Sequence, residues 1–193
     1  MKTKFEIKKT INNKERESIS HEIDHVKDFP AGTVALEIEW NNKDPFFDRD
    51  LENFKRLHAD GAISVGIIVT RGRSLQEQMR SLVGRFIDAR QIHSFDELVA
   101  WGYEPTAKQR RAIETRINRR KNPLTFRDAF VDKFVSDKFG EATTHWRKLD
   151  DRVHRGVGNP CPLVLIGLPV DLVTFDEGKS ALEEVLKESS EEE

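Results

Sequence analysis

Residues 21–40, HEIDHVKDFPAGTVALEIEW, constrain the fold of this chain more than any other stretch, because two runs of alternating character flank a Phe-Pro-Ala-Gly turn. A period of two belongs to a strand with two different faces, and Pro and Gly between such runs mark a reversal, so the segment reads as an antiparallel hairpin. With the turn centred between Pro30 and Ala31, residues whose numbers sum to 61 face each other. Asp24 then lies opposite Glu37 and Glu22 opposite Glu39, all four on one face. The other face pairs Ile23 with Ile38, His25 with Leu36 and His21 with Trp40, and reads as the face packed on a helix.

The rest of the chain supplies elements to pack around this hairpin. Asn12 to Ser20 reads as a short polar helix leading into it. Phe47, Leu51, Phe54 and His58 fall on one helical face, and AISVGIIVT (62–70) is a continuous apolar run suited to the centre of a sheet. Ser74 and Glu77 form a capping box before an amphipathic helix with Leu75, Met79, Leu82, Val83, Phe86 and Ile87 inward, and Ser94 and Glu97 open a shorter one. Further helices are expected around Ile113 and Ile117, around Phe126, Phe130 and Phe134, and after Thr143-Thr144; PLVLIGLP is a last buried strand.

Charge divides the chain. The net value of -2 for 193 residues hides a stretch, 70–156, with 19 basic against 12 acidic side chains, and an end, 176–193, with 8 acidic against 2 basic. A basic body behind an acidic tail is compatible with phosphate binding. We expect one domain over 1–175 and an acidic C-terminal tail over 176–193. A lone Cys161 excludes an internal disulfide, and neither a membrane-length apolar run nor a signal-peptide h-region is present, so a cytoplasmic setting is expected.

Four carboxylates on one small sheet patch repel one another unless a cation or a basic neighbour neutralises them. A solvated acidic face on an edge hairpin is the plain alternative. A divalent cation is the economical explanation, and Mg²⁺, a hard ion, takes carboxylate and phosphate oxygens. Asp24 and Glu37 suit the ligand role, and Glu39 could orient or deprotonate a water attacking a phosphodiester.

The spacing D-x12-E-x-E formed by Asp24, Glu37 and Glu39, followed by a buried strand, a helix and another strand, resembles the PD-(D/E)XK nuclease core. The stretch ALEIEWNNKDPFFDRDLENFKRLHADGAISVGIIVTRG (35–72) resembles type II restriction endonucleases of the BglII/BamHI group. The resemblance implies a restriction-endonuclease-like α/β core, a mixed β-sheet flanked by helices, with an added helical part. It implies that Asp24 and Glu37 are Mg²⁺ ligands, that the backbone carbonyl of Ile38 is a further ligand, and that Glu39 takes the third position, which is Glu in the BamHI type and Gln in the BglII type. It also implies a homodimer cutting double-stranded DNA at a short palindromic, GATC-containing site, and additional sequence before the core, which would be shortened here. On a preceding helix, Glu17 is a candidate for an accessory acid.

For DNA contact, the candidates are Lys43 and the group Thr143, Thr144, His145, Arg147 and Lys148, where threonine hydroxyls could cap a helix facing a phosphate and Arg147 could read guanine. A capped amphipathic helix is the plain reading of the same residues. The helix around 108–121, with seven basic side chains against one acidic, is a candidate for backbone contact or a solvated basic face. A structure-selective repair or recombination nuclease, and a non-catalytic DNA-binding module on a nuclease scaffold, are the competing functions.

Overall fold

The computed structural model describes residues 3–11 and 14–174, and of residues 6–21 the backbone alone. The acidic tail at 176–193 therefore lies outside the described residues. Met1–Gln76 with Glu141–Val170 form one compact unit, and Glu77–Gly140 is the body of a second.

In the first unit, β3 (His25–Phe29) and β4 (Gly32–Glu39) form the expected antiparallel hairpin, with His25 opposite Leu36 and Phe29 opposite Gly32. Its register is the one the alternation dictates. Gly32 sits at φ +145° with the Ser64 side chain against it, a conformation and a space that suit only glycine. Beyond β4 come α1 (Phe46–Ala59), β5 (Val65–Arg71) and, after the second unit, α6 (Trp146–His154) and β6 (Leu163–Leu168). β5 runs parallel to both β4 and β6, giving a four-stranded mixed sheet in the order β3-β4-β5-β6. This is the helix-flanked mixed sheet that the sequence implies.

The core lies between one face of this sheet and the helices α1 and α6. Phe47, Leu51, Phe54 and Leu57 of α1 join Ala35, Ile68 and Leu149 there, all fully buried. Phe54 packs so closely on β5 that a Cβ at Gly66 would stand 2.4 Å from its ring, so glycine is required at that crossing. The opposite sheet face leaves Ile38, Val164 and Ile166 between 40% and 47% exposed.

Three expectations about the strands fail here. First, β4 is turned over relative to the hairpin reading: Ala35, Glu37 and Glu39 face the helices, whereas Ile38 and Trp40 face outward. The physical reason is the parallel neighbour, because pairing Ala35 with Gly66 leaves room for Phe54 on that side only. Secondly, residues 14–20 are strand rather than helix. β1 (Thr3–Ile11) pairs with β2 (Lys14–Ile23) in a separate two-stranded sheet, since Phe5 and Ile7 alternate with charged residues and offer a partner strand. Glu17 is thus on a strand. Thirdly, this pairing ends the long hairpin at Asp24, so Glu22 lies opposite Lys4 and His21 opposite Phe5, not against Glu39 and Trp40, and Ile23 lies opposite Thr3, not Ile38.

The second unit is helical: the main part of α2 (Arg73–Ala89), then α3 (Phe95–Ala100), α4 (Ala107–Ile117) and α5 (Phe126–Lys138). Ser94–Glu97 forms the expected capping box, and Thr106 with Gln109 forms another. Ser74 does not cap α2; the helix begins at Arg73, and the Ser74 hydroxyl accepts from the Val170 amide at 3.1 Å. Tyr103 meets Phe130 and Phe134 edge to face at 5.7 and 5.2 Å, the centre of a small aromatic core.

Candidate active site

The bend at Asp24, where the chain passes from β2 to β3, places an aspartate directly across from Glu37. Two backbone amides tie them together: the Ile38 amide donates to Asp24 Oδ2 at 3.0 Å, and the Asp24 amide donates to Glu37 Oε2 at 3.3 Å. The two carboxylates are thereby fixed side by side. Glu39 lies two residues further along the same face, and its carboxylate accepts from Asn42 Nδ2 at 3.0 and 3.3 Å. The Thr70 hydroxyl clamps the Glu39 backbone carbonyl at 2.7 Å, fixing where that strand ends.

Sequence reasoning missed a fourth carboxylate. Asp50, on the inward face of α1, is fully buried among phenylalanines and leucines and is directed at the same two glutamates. Its position in the Phe47-Asp50-Leu51-Phe54 stripe was the available signal, since an acid on a helix's apolar face must have a partner. Arg49 supplies one, donating to Asp50 Oδ1 from Nε at 2.8 Å and lying 3.6 Å from Glu39 Oε1. Asp50 Oδ2, though buried, has no hydrogen-bond partner.

Burial of these acids has an electrostatic consequence. Desolvation, then the charges of Asp50 and Asp24, raise the Glu37 carboxyl from 4.5 to about 8. Desolvation and Asp50 likewise raise Glu39 to about 7, and desolvation raises Asp50 against the pull of Arg49. Such shifts follow first from taking carboxylates out of water and then from setting them beside one another.

The residues expected at DNA separate by exposure. Lys43 is exposed and pairs as an isolated bridge with Thr143. Arg147 is exposed and ion-paired to Glu141, while Lys148 lies 3.6 Å from Asp44. Thr143, Thr144 and His145 are buried instead. The reason is Arg71, itself fully buried at the end of β5: its guanidinium donates to Thr143 Oγ1 at 2.8 Å and to the Thr144 carbonyl at 2.5 Å. The Thr144 amide donates to the Asn42 carbonyl at 2.8 Å, so this loop is stitched to the segment that follows β4. On α4, Ile113 is buried, and Lys108, Arg111, Arg119, Arg120 and Lys121 at or beyond its surface are exposed, as the thin apolar stripe implies.

Among the described residues, no three acidic, histidine or cysteine side chains already stand at metal-ligand spacing. The chemistry of the donor set nevertheless fits a hard divalent cation: carboxylate oxygens only, crowded enough to raise one another's pKa values, with one buried oxygen lacking a donor. No helix among these residues is long and apolar enough to cross a membrane. A family model described as restriction endonuclease BglII/BglIII matches residues 1–168. No curated protein and no solved structure matches.

Proposed function

The chain belongs to the BglII/BglIII family of restriction endonucleases, and on that premise we propose that Asp24, Glu37 and Glu39 form a Mg²⁺-dependent centre that cleaves double-stranded DNA as a type II enzyme. Membership makes the chain a nuclease of a restriction system acting on DNA, in a family whose superfamily generally uses a divalent metal. The observation carrying the finer reading is the hairpin register, which sets Asp24 beside Glu37 and adds Glu39 on the same buried face.

Asp24, Glu37 and the Ile38 carbonyl would hold the cation. When bound, a divalent cation neutralises charge building on the scissile phosphate and acidifies a water. Glu39, two residues beyond Glu37 on the same face, would serve as the base that takes a proton from the attacking water. Asn42 fixes the orientation of the Glu39 carboxylate. Lys43, Arg147 and Lys148 contact phosphate or base edges, and the buried Thr143, Thr144 and His145 take part by holding that loop in place. By symmetry, a homodimer would match a palindromic site, and the resemblance to the BglII/BamHI group extends the proposal to a GATC-containing one.

Digestion of a defined plasmid in Mg²⁺, with the cut ends sequenced, tests this reading. One recurrent palindrome at the ends is the expected result. Cutting confined to branched or mismatched DNA would replace the proposal with a structure-selective nuclease, and binding without cutting would leave a scaffold.

A further inference from the structure

We infer that Asp50 is a further member of the cation site, offering Oδ2 to the cation held by the strand carboxylates, and that Arg49 is the counter-charge a divalent cation displaces on entering. This rests on the reading of Asp24, Glu37 and Glu39 as a cation-dependent centre.

The placement of Asp50 is costly without such a role. Every other buried residue of α1 is Phe or Leu, and a buried carboxylate is unfavourable unless it is fully partnered. Arg49 partners only half of it: Nε and Nη2 both reach Oδ1, at 2.8 and 2.7 Å, and Oδ2 has none. A purely structural ion pair would account for Oδ1 and leave Oδ2 to the neighbouring Glu39 carboxyl, which it can meet only across a proton or a cation. The Asp50 carboxyl also makes a side-chain contact with Glu39, and its charge acts on Glu37. Two carboxylates in contact are both acceptors, so a proton or a cation must stand between them at equilibrium.

Arg49 is suited to give way. Its side chain is 52% exposed, its guanidinium lies over the Phe46 ring at 4.4 Å, and it spans Asp50 and, at 3.6 Å, Glu39 Oε1. It thus holds positive charge between the helix and strand acids from a position open to solvent. A doubly charged ion reaching the same oxygens competes with it directly, and the freed guanidinium stays at the mouth of the site.

Titration calorimetry with Mn²⁺ on the full chain tests this without relying on cleavage, with a thermal melt in the same ion as a second readout. Asp50→Asn is expected to weaken Mn²⁺ binding by roughly tenfold or more, the scale seen when metal-site supports are removed, and to shrink the Mn²⁺-dependent rise in Tm. Arg49→Gln is expected to tighten binding severalfold by removing the competing charge. Wild-type Mn²⁺ affinity in Asp50→Asn, beside lost binding in Glu37→Gln, would overturn the role of Asp50 and leave the centre standing. If the wild-type chain binds no Mn²⁺, both readings fall. Should Asp50→Asn not fold, Arg49→Gln decides: unchanged or weakened affinity overturns the displacement.

Discussion

Asp50 and Asp88 are both helical aspartates held by an arginine, yet their surroundings push them in opposite directions. Asp88, on the exposed face of α2, receives Arg127 at both oxygens, 2.6 and 2.7 Å, and that hydrogen bonding holds its carboxyl below the usual range. Asp50 receives Arg49 at one oxygen only, inside the core, and desolvation raises it despite the arginine. An arginine neighbour alone therefore does not decide how a carboxylate behaves; burial with an unmet oxygen does. In the helical unit these charges are solvated ion pairs, whereas beneath β4 the carboxylates are buried and only partly matched by Arg49.

The comparison breaks most visibly at catalysis. Glu37→Ala and Asp24→Asn should lose roughly a hundredfold or more of cleavage, the scale of a positioned acid or base, while still shifting DNA in Ca²⁺; Asp88→Asn should cleave as the wild type does. Removing the platform beneath Asp50 tests the packing side. Phe54→Ala should cost about 3 to 5 kcal/mol in urea denaturation, because a large ring leaves a cavity between α1 and β5.

A smaller effect is expected with pH. The folded chain binds more protons than the unfolded chain wherever a carboxyl's folded value exceeds its ordinary one. Glu37 at about 8 and Glu39 at about 7, against 4.5 unfolded, therefore contribute stability that is fully present below pH 4.5 and lost as pH rises toward 8. In thermal melts without divalent ions, Tm should fall between pH 5.5 and roughly 8, and added Mn²⁺ should reduce that fall. Least affected of all should be the exposed pair: Asp88→Asn should leave the melting midpoint and its pH profile unchanged within error, as for most surface ion pairs.

Much of this was legible in the sequence. Alternation around Pro30-Ala31 carried the pairing of Asp24 with Glu37, and apolar periodicity carried α1, β5 and the Phe126–Phe134 helix, because each depends on local pattern. What the sequence hid depends on neighbours distant along the chain. Pairing of β4 with β5 decides which face of β4 is buried, and so puts Glu37 and Glu39 inside. Pairing of β2 with β1 removes Glu22 from the site. Asp50 escaped notice because one acid in the Phe47–Phe54 stripe looks like a surface residue until the helix is docked. Thr143 and Thr144 read as contacts for DNA, and only the buried Arg71, 72 and 73 residues away in sequence, shows them holding a loop.

The most direct test of the central claim, that the buried acids of β4 and Asp24 form a cation-dependent cleavage centre, is cleavage of a supercoiled plasmid by wild-type and Glu37→Ala chains, in Mg²⁺ and in EDTA. The account predicts cutting only by the wild type and only in Mg²⁺. Equal cutting by both chains, or cutting by the wild type in EDTA, would contradict it.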